Sequence, residues 1–352
     1  MQGLSDLSEV EVCWDLLRKG DRRALARAIT LVESHRQEDR LLADWLMDKV
    51  DLSLTKAENR GSWGWTMALT GPPGVGKSTL IDAFGMQVLG RGHRLAVLAV
   101  DPSSSRSGGS ILGDKTRMQR LAQEEAAFIR PTPAGTMLGG TARATREAML
   151  LCRAAGFDWI LVETVGVGQS ETAVADLVDW IVLLLLGRSG DDLQGIKRGI
   201  VETADMLVVH KADGSGKEAA LETLSYYRTA LHLFPPHSLP GWQVPCMALS
   251  SVEEGGLEAL WKQLDVLHKN PELSGWVRRR RQEQKVLHYR RKLETALSQH
   301  WLQSGRTISR EAVENMVRQG SLSPVRAVDY TLQEWGIKPA GDPAQAITPQ
   351  RD

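Results

Sequence analysis

The run Thr70-Gly71-Pro72-Pro73-Gly74-Val75-Gly76-Lys77-Ser78-Thr79 decides the architecture, because it fits the phosphate-loop pattern G-x-x-x-x-G-K-[ST] between two legible elements. Before it, Trp65 to Leu69 is a short apolar run that reads as a buried strand; after it, Leu80 to Met86 reads as a helix. Glycines at 71, 74 and 76 permit a turn tight enough to aim several backbone N–H groups at one phosphate, and the helix adds the positive end of its dipole. In such a loop Lys77 reaches the β- and γ-phosphates and the Ser78 hydroxyl ligates Mg²⁺. The plain alternative is a glycine-rich strand-to-helix turn with no ligand, and the Lys-Ser pair after a strand argues against it.

Outward from the loop, residues 63 to about 250 alternate short apolar runs with helical segments, the signature of a mostly parallel sheet flanked by helices. The runs are Trp65 to Leu69, Leu95 to Val100, Ala127 to Arg130, Trp159 to Val162, Trp180 to Leu186, Met206 to Val209 and Val244 to Ala248. Nearly all lack polar alternation, so both sheet faces are expected to be covered. Ligands in such sheets sit at the carboxyl ends of the strands, which is where chemistry is sought.

The expected organisation is an N-terminal helical extension over 1–62, a nucleotide-binding α/β domain over 63–270, a helical arm over 271–337 and a disordered tail over 338–352. Leu25, Ala28, Ile29 and Val32 mark one helical face of the extension, and Leu42, Trp45, Leu46 and Val50 another, with residues 51–62 as the connection. In the arm, a helix from about Leu273 to Leu302 carries Val286, Leu293, Leu297 and Trp301 as a narrow apolar stripe, suited to packing on a second copy. The basic run Arg278 to Arg281 reads as a solvated helix face.

Composition narrows the function classes. Of 352 residues, 43 are Lys or Arg and 43 are Asp or Glu, so no net field draws the chain to nucleic acid or to an anionic membrane. The longest apolar run, Trp180 to Leu186, is too short to span a bilayer. Cys13, Cys152 and Cys246 are few and far apart, which argues against a disulfide framework or a thiolate metal site and for a reducing, cytoplasmic compartment. The first ten residues show no basic segment followed by an apolar core, so no signal peptide is expected.

Three further strand ends carry chemistry. Trp159 to Val162 runs into Glu163, with Gly166 three positions on; beside a phosphate loop, such a carboxylate holds Mg²⁺ and the glycine N–H senses the γ-phosphate. Asp101 ends another strand and Asp114 lies thirteen residues beyond; both are candidates to ligate the ion or orient a hydrolytic water, with a helix-cap role equally open for Asp114. His210-Lys211-Ala212-Asp213 fits the guanine-reading pattern Asn-Lys-x-Asp except at its first residue. There Asp213 would accept from guanine N1–H and N2–H₂, donors that adenine lacks, while the Lys211 stem covers the ring. Met247, Ala248 and Leu249, ending the next strand, are placed to cover the base with backbone N–H groups.

Taken together, Gly71 to Thr79, Val100 to Ser105 with Gly108 to Met118, Glu163 to Glu171 and Gly190 to Lys197 resemble one family: the SIMIBI-class phosphate-loop GTPases associated with methylmalonyl-CoA mutase, the MeaB/ArgK/MMAA group. The resemblance covers most of the chain. It implies a Mg²⁺-dependent GTPase, binding GTP and GDP, that chaperones an adenosylcobalamin-dependent acyl-CoA mutase in cofactor loading and in protection or reactivation. It also implies a homodimer formed through the C-terminal arm, a metal and water-activating set at Ser78, Asp101, Asp114 and Glu163, and a mutase-facing loop over 187–199 with Gln194 and Lys197 as contacts. The chain departs from the family at His210 for Asn, Met247 for Ser and Ser105 for Pro. Val167 follows Gly166 where small GTPases place a water-positioning glutamine, so slow intrinsic turnover accelerated by a partner is expected. Three readings compete: a nickel-delivering GTPase of the same class, which requires a Cys or His cluster near the switches; an ATP-dependent kinase or partitioning ATPase; and a nucleotide-gated scaffold that does not hydrolyse.

Overall fold

The computed structural model describes residues 4–34, 36–59, 64–101, 118–133, 140–164, 174–187, 198–253, 256–269, 271–303 and 310–334. All seven apolar runs become strands: β1 (Trp65–Thr70), β2 (Leu95–Asp101), β3 (Ala127–Pro133), β4 (Trp159–Glu163), β5 (Trp180–Leu186), β6 (Met206–His210) and β7 (Cys246–Leu249). They form one sheet in the order β3-β2-β4-β1-β5-β6-β7, with every neighbouring pair parallel. Parallel strands need crossover helices, and those helices shield both faces from water. The alternation shows directly in the packing. Ala68, Ile160, Val162 and Ile181 face one apolar cluster, while Met67, Leu69, Leu161, Val182 and Leu184 face another.

The first cluster includes the N-terminal helices α1 (Leu7–Arg18), α2 (Arg22–Glu33) and α3 (Gln37–Asn59). Asp6 and Asp21 cap the first two, accepting from Glu9 N at 2.9 Å and Ala24 N at 2.7 Å, which satisfies donors that the helix itself cannot. The expected stripe of Leu25, Ala28, Ile29 and Val32 is buried, as are Leu46 and Val50. Each such aliphatic side chain stabilises the fold by about 1.5–3 kcal/mol when fully buried. Residues 51–59, expected to be a connection, instead continue α3, since Leu52, Leu54, Lys56 and Ala57 suit a helix and Leu54 is buried. The extension therefore shares its core with the sheet.

Helix α4 (Lys77–Gly90) follows the phosphate loop on the opposite face, α5 (Gln119–Gln123) and α6 (Gly140–Ala154) flank β3, and α7 (Arg198–Thr203) and α8 (Lys217–Leu231) flank β6. A final pair, α9 (Glu258–Lys269) and α10 (Pro271–Gln303), completes this side of the chain. Pro271 marks the break between them: α9 ends at Lys269, and Pro271 is the first residue of α10, where a missing N–H costs nothing.

The chain divides into two compact units, Met1–Lys285 and Val286–Asp352. In the first, the base of α10 corrects the expectation for half of the basic run: Arg278 and Arg279 are exposed as expected, but Arg280 is half-buried and Arg281 buried. Arg281 is buried and bidentate on Asp179, at 2.7 Å from Nε and 2.6 Å from Nη2, and also donates to the Gly64 carbonyl. Burial alone would push the Asp179 pKa up, but the Arg281 charge and the hydrogen bonds to the carboxylate outweigh it and hold the group below its ordinary value. Arg280 pairs with the buried Asp205 at 3.3 Å. Arg280 and Arg281 looked solvated because the carboxylates they meet lie 75 and 102 residues away in sequence.

Six of the eleven tryptophans, Trp65, Trp159, Trp180, Trp242, Trp261 and Trp276, join a continuous aromatic group, with Trp180 and Trp276 centroids 5.2 Å apart. Large rings fill the amino end of the sheet. All three cysteines are buried and unpaired by disulfide.

The second unit holds the rest of α10 with α11 (Arg310–Arg318) and α12 (Pro324–Glu334). Along α10, Val286, Leu293 and Leu297 are exposed at helical spacing, together with Tyr289. The expected tail over 338–352 lies outside the described residues. Among the described residues no helix is long and apolar enough to cross a membrane.

Candidate nucleotide site

The loop between β1 and α4 adopts conformations that explain its glycines. Gly71 has φ +146° and Gly76 φ +100°, so a side chain would be strained at either. A Cβ on Gly71 would collide with the Leu184 carbonyl oxygen, and one on Gly76 would lie 2.6 Å from Nδ1 of His210. The turn is thereby pressed against β5 on one side and β6 on the other. Gly76 stands at the N-cap of α4 and supplies no side-chain acceptor, so the helix start is shaped to receive an anion.

Lys77 is buried, and its Nζ donates to the carbonyls of Gly71 at 2.7 Å and Pro72 at 3.1 Å. An ammonium held by loop carbonyls is already aimed across the cradle. Ser78 Oγ donates to Glu163 Oε1 at 2.8 Å, which joins the first turn of α4 to the end of β4. The register explains the meeting, since Glu163 pairs with Leu69 of β1 and with Ala99 of β2. Asp101, the last residue of β2, follows two positions after Ala99 and so ends at the same edge of the sheet. Asp114, Gly166, Ser105, Gln194 and Lys197 lie outside the described residues.

The base side is built from the ends of β6 and β7. His210, expected only as a substituted asparagine, is buried between Leu186 and Leu249 in the sheet. Its Nδ1 is 2.7 Å from the Val75 carbonyl and its Nε2 is 2.6 Å from Ser251 Oγ. A carbonyl only accepts, so Nδ1 carries the hydrogen, and neutral Nε2 accepts from the serine hydroxyl. Burial pushes the His210 pKa down, and the neighbouring Lys211 charge adds to this.

Lys211 is the one described non-glycine residue with positive φ, at +59°. That conformation costs a β-carbon-bearing residue energy and persists because the chain must turn there. Its Nζ donates to the Gly74 carbonyl at 2.8 Å, so the stem lies alongside the phosphate loop. Asp213 receives a short hydrogen bond from Ser250 Oγ, and Ser250 Oγ in turn accepts from the N–H groups of Val252 at 3.1 Å and Glu253 at 3.2 Å. Ala212 N donates to Leu249 O at 3.2 Å, fastening the two loops. Met247 and Leu249 are buried in β7, and Ala248 is half-buried there.

The structure thus brings Gly71 to Thr79, Glu163, His210, Lys211 and Asp213 together at one sheet edge. It adds two residues that sequence reasoning did not single out, Ser250 and Ser251. Their only signal was a pair of hydroxyls directly after a strand, a pattern shared with many turns. Among the described residues no group of three or more His, Cys, Asp or Glu side chains is placed to hold a metal ion.

Comparison with known proteins supplies the chemistry. The family described as methylmalonyl Co-A mutase-associated GTPase MeaB matches residues 25–306. GTPase ArgK of Escherichia coli K12 is 43% identical over 81% of this chain and 83% of its own length. The mitochondrial methylmalonic aciduria type A homolog of Mus musculus is 42% identical over 94% of this chain and 81% of its own. A crystal structure titled as a LAO/AO transport system kinase superposes with a TM-score of 0.70 at 33% identity, covering 94% of this chain and 98% of that one.

Proposed function

This chain belongs to the methylmalonyl-CoA mutase-associated GTPase family, and from that premise we propose that it spends GTP hydrolysis on remodelling an adenosylcobalamin-dependent acyl-CoA mutase. The chain is a GTPase with a guanine-nucleotide site. Methylmalonyl-CoA mutase is the favoured partner, with cofactor loading and protection or reactivation as the task. The reading includes a cytoplasmic homodimer whose copies meet along the exposed stripe of Val286, Leu293 and Leu297.

The observation that carries the reading is the convergence of Lys77, Ser78, Glu163, Lys211 and Asp213 on one edge, with both lysines held by carbonyls of the loop itself. Phosphate oxygens take the place of Gly71 O and Pro72 O on Lys77. Backbone N–H groups of residues 74–79 surround the β-phosphate, and Asp213 accepts from the guanine edge while Ser250 fixes its rotamer. A magnesium ion fits the hard oxygen donors Ser78 and Glu163, already in contact, with Asp101 and Asp114 as further ligands. When bound, it would neutralise charge building on the β- and γ-phosphate oxygens. Asp101 and Asp114 are the groups to orient the attacking water, and the resulting phosphate leaves GDP on the same contacts.

Steady-state turnover measured with and without purified mutase tests the proposal. A slow basal rate that rises on adding the mutase supports it; a partner-independent rate typical of a metabolic kinase sinks it. Competition of GTP and ATP for a fluorescent nucleotide tests the base assignment. Asp213→Asn loses two hydrogen bonds to a charged acceptor and should weaken GTP by about 100-fold or more.

A further inference from the structure

His210 stands where the guanine-reading pattern places asparagine, and its surroundings define what the change does. An asparagine amide offers two hydrogens, one for a loop carbonyl and one to spare. Neutral histidine offers one. Here that hydrogen lies on Nδ1 and is committed to the Val75 carbonyl at 2.7 Å, while Nε2 accepts from Ser251 Oγ at 2.6 Å. The ring is buried, and the gap left by the missing side chain of Gly76 accommodates it, since a Cβ at that position would fall 2.6 Å from Nδ1 and 2.7 Å from Cε1. Rotation to serve another acceptor would break both bonds and drive the ring into the loop.

A purine whose hydrogen-bonding edge lies on Asp213, with phosphates on residues 71–79, turns its N7 side toward the end of β6. N7 is an acceptor only, and no hydrogen remains on His210 to meet it. We infer that His210 is a positioning residue that locks the phosphate loop to the base loop and leaves guanine N7, an acceptor common to both purines, without a donor from the end of β6. The inference rests on the guanine reading. Burial and the adjacent Lys211 charge keep the ring neutral, which removes the one state that would provide a second donor.

Calorimetric titration with GDP, 7-deaza-GDP and ADP tests it, because the diphosphates are not consumed and 7-deaza-GDP lacks only the N7 acceptor. The unaltered protein should bind GDP and 7-deaza-GDP within about twofold, and ADP far more weakly. His210→Asn, which restores the spare hydrogen, should come to prefer GDP over 7-deaza-GDP by about three- to tenfold, the worth of one hydrogen bond. A fivefold or larger penalty for 7-deaza-GDP in the unaltered protein overturns the inference, as does a His210→Asn protein with no preference. Should that variant fail to fold, ¹⁵N shifts of the His210 ring in the unaltered protein decide. A neutral Nδ1–H tautomer, identical with GDP and 7-deaza-GDP, supports the inference, and a tautomer that differs between the two overturns it. Parity of ADP with GDP would show a different failure, that of the guanine reading itself.

Discussion

The two ends of the sheet handle charge in opposite ways. At the amino end, Asp179 and Asp205 are almost fully enclosed and meet Arg281 and Arg280, with backbone donors Thr66 N and Ile181 N on the two carboxylates and His237 Nε2 2.7 Å from Asp205. At the carboxyl end, Lys77 and Lys211 rest on backbone carbonyls, and Ser78, Ser250 and Ser251 supply single hydroxyl links. The first arrangement leaves no role for an outside ion. In the second, the bonds from Lys77 to the Gly71 and Pro72 carbonyls can be exchanged for bonds to phosphate oxygens. One edge is closed by its own counter-ions and the other is provisioned for a guest.

The sharpest way to break this contrast is to damage the closed end. Arg281→Ala leaves a buried, uncompensated carboxylate and should destabilise the fold by about 3–5 kcal/mol in denaturant unfolding. Nucleotide affinity of the molecules that remain folded should be unchanged. Replacing Asp179 as well relieves the stranded charge but orphans Thr66 N, so the double variant should recover only part of the loss.

Damage at the open end should show the reverse pattern. Lys77→Ala is expected to lower the turnover number by about 10²–10³-fold while shifting the unfolding midpoint little, because the lysine's partners are carbonyls that water can satisfy. Equal losses of stability and turnover would erase the distinction between the ends. Gly76→Ala should cost about 1–3 kcal/mol, from the left-handed backbone and from collision with the His210 ring, and should weaken nucleotide binding in step.

The smallest effect concerns pH. The folded His210 has a lowered pKa, so below about pH 6.5 the unfolded chain takes up a proton that the folded one refuses. Stability should fall as pH drops through that range, and His210→Asn should flatten the dependence. Thermal melts at pH 7.5 and 5.5 measure it; an unaltered slope in the variant would remove His210 from the account.

Much of this was legible beforehand, for identifiable reasons. All seven strands stood out because two-faced burial writes itself as uninterrupted apolar runs such as Trp180 to Leu186. Gly71 to Ser78 and Lys211 to Asp213 were readable because a phosphate loop and a base-reading turn are local in sequence. The helix over 51–59 was missed because its outward face is polar, as any surface helix is. Arg281 was misjudged because its partner lies 102 residues away, and the two bonds of His210 span 135 and 41 residues. Spacing within a motif cannot report contacts made only when distant strands align.

The seclusion of the sulfur atoms has a practical consequence. Burial raises the thiol pKa at Cys13 and Cys152 and lifts that of Cys246 to about 11, so none of the three offers a thiolate to a maleimide at neutral pH. Val252, 82% exposed and adjacent to the Ser250–Ser251 pair, is a natural place for a single dye through Val252→Cys. The native chain thus arrives without a thiol that would take up the label, and one fluorophore at that corner would report guest arrival and departure without first stripping out the resident sulfurs.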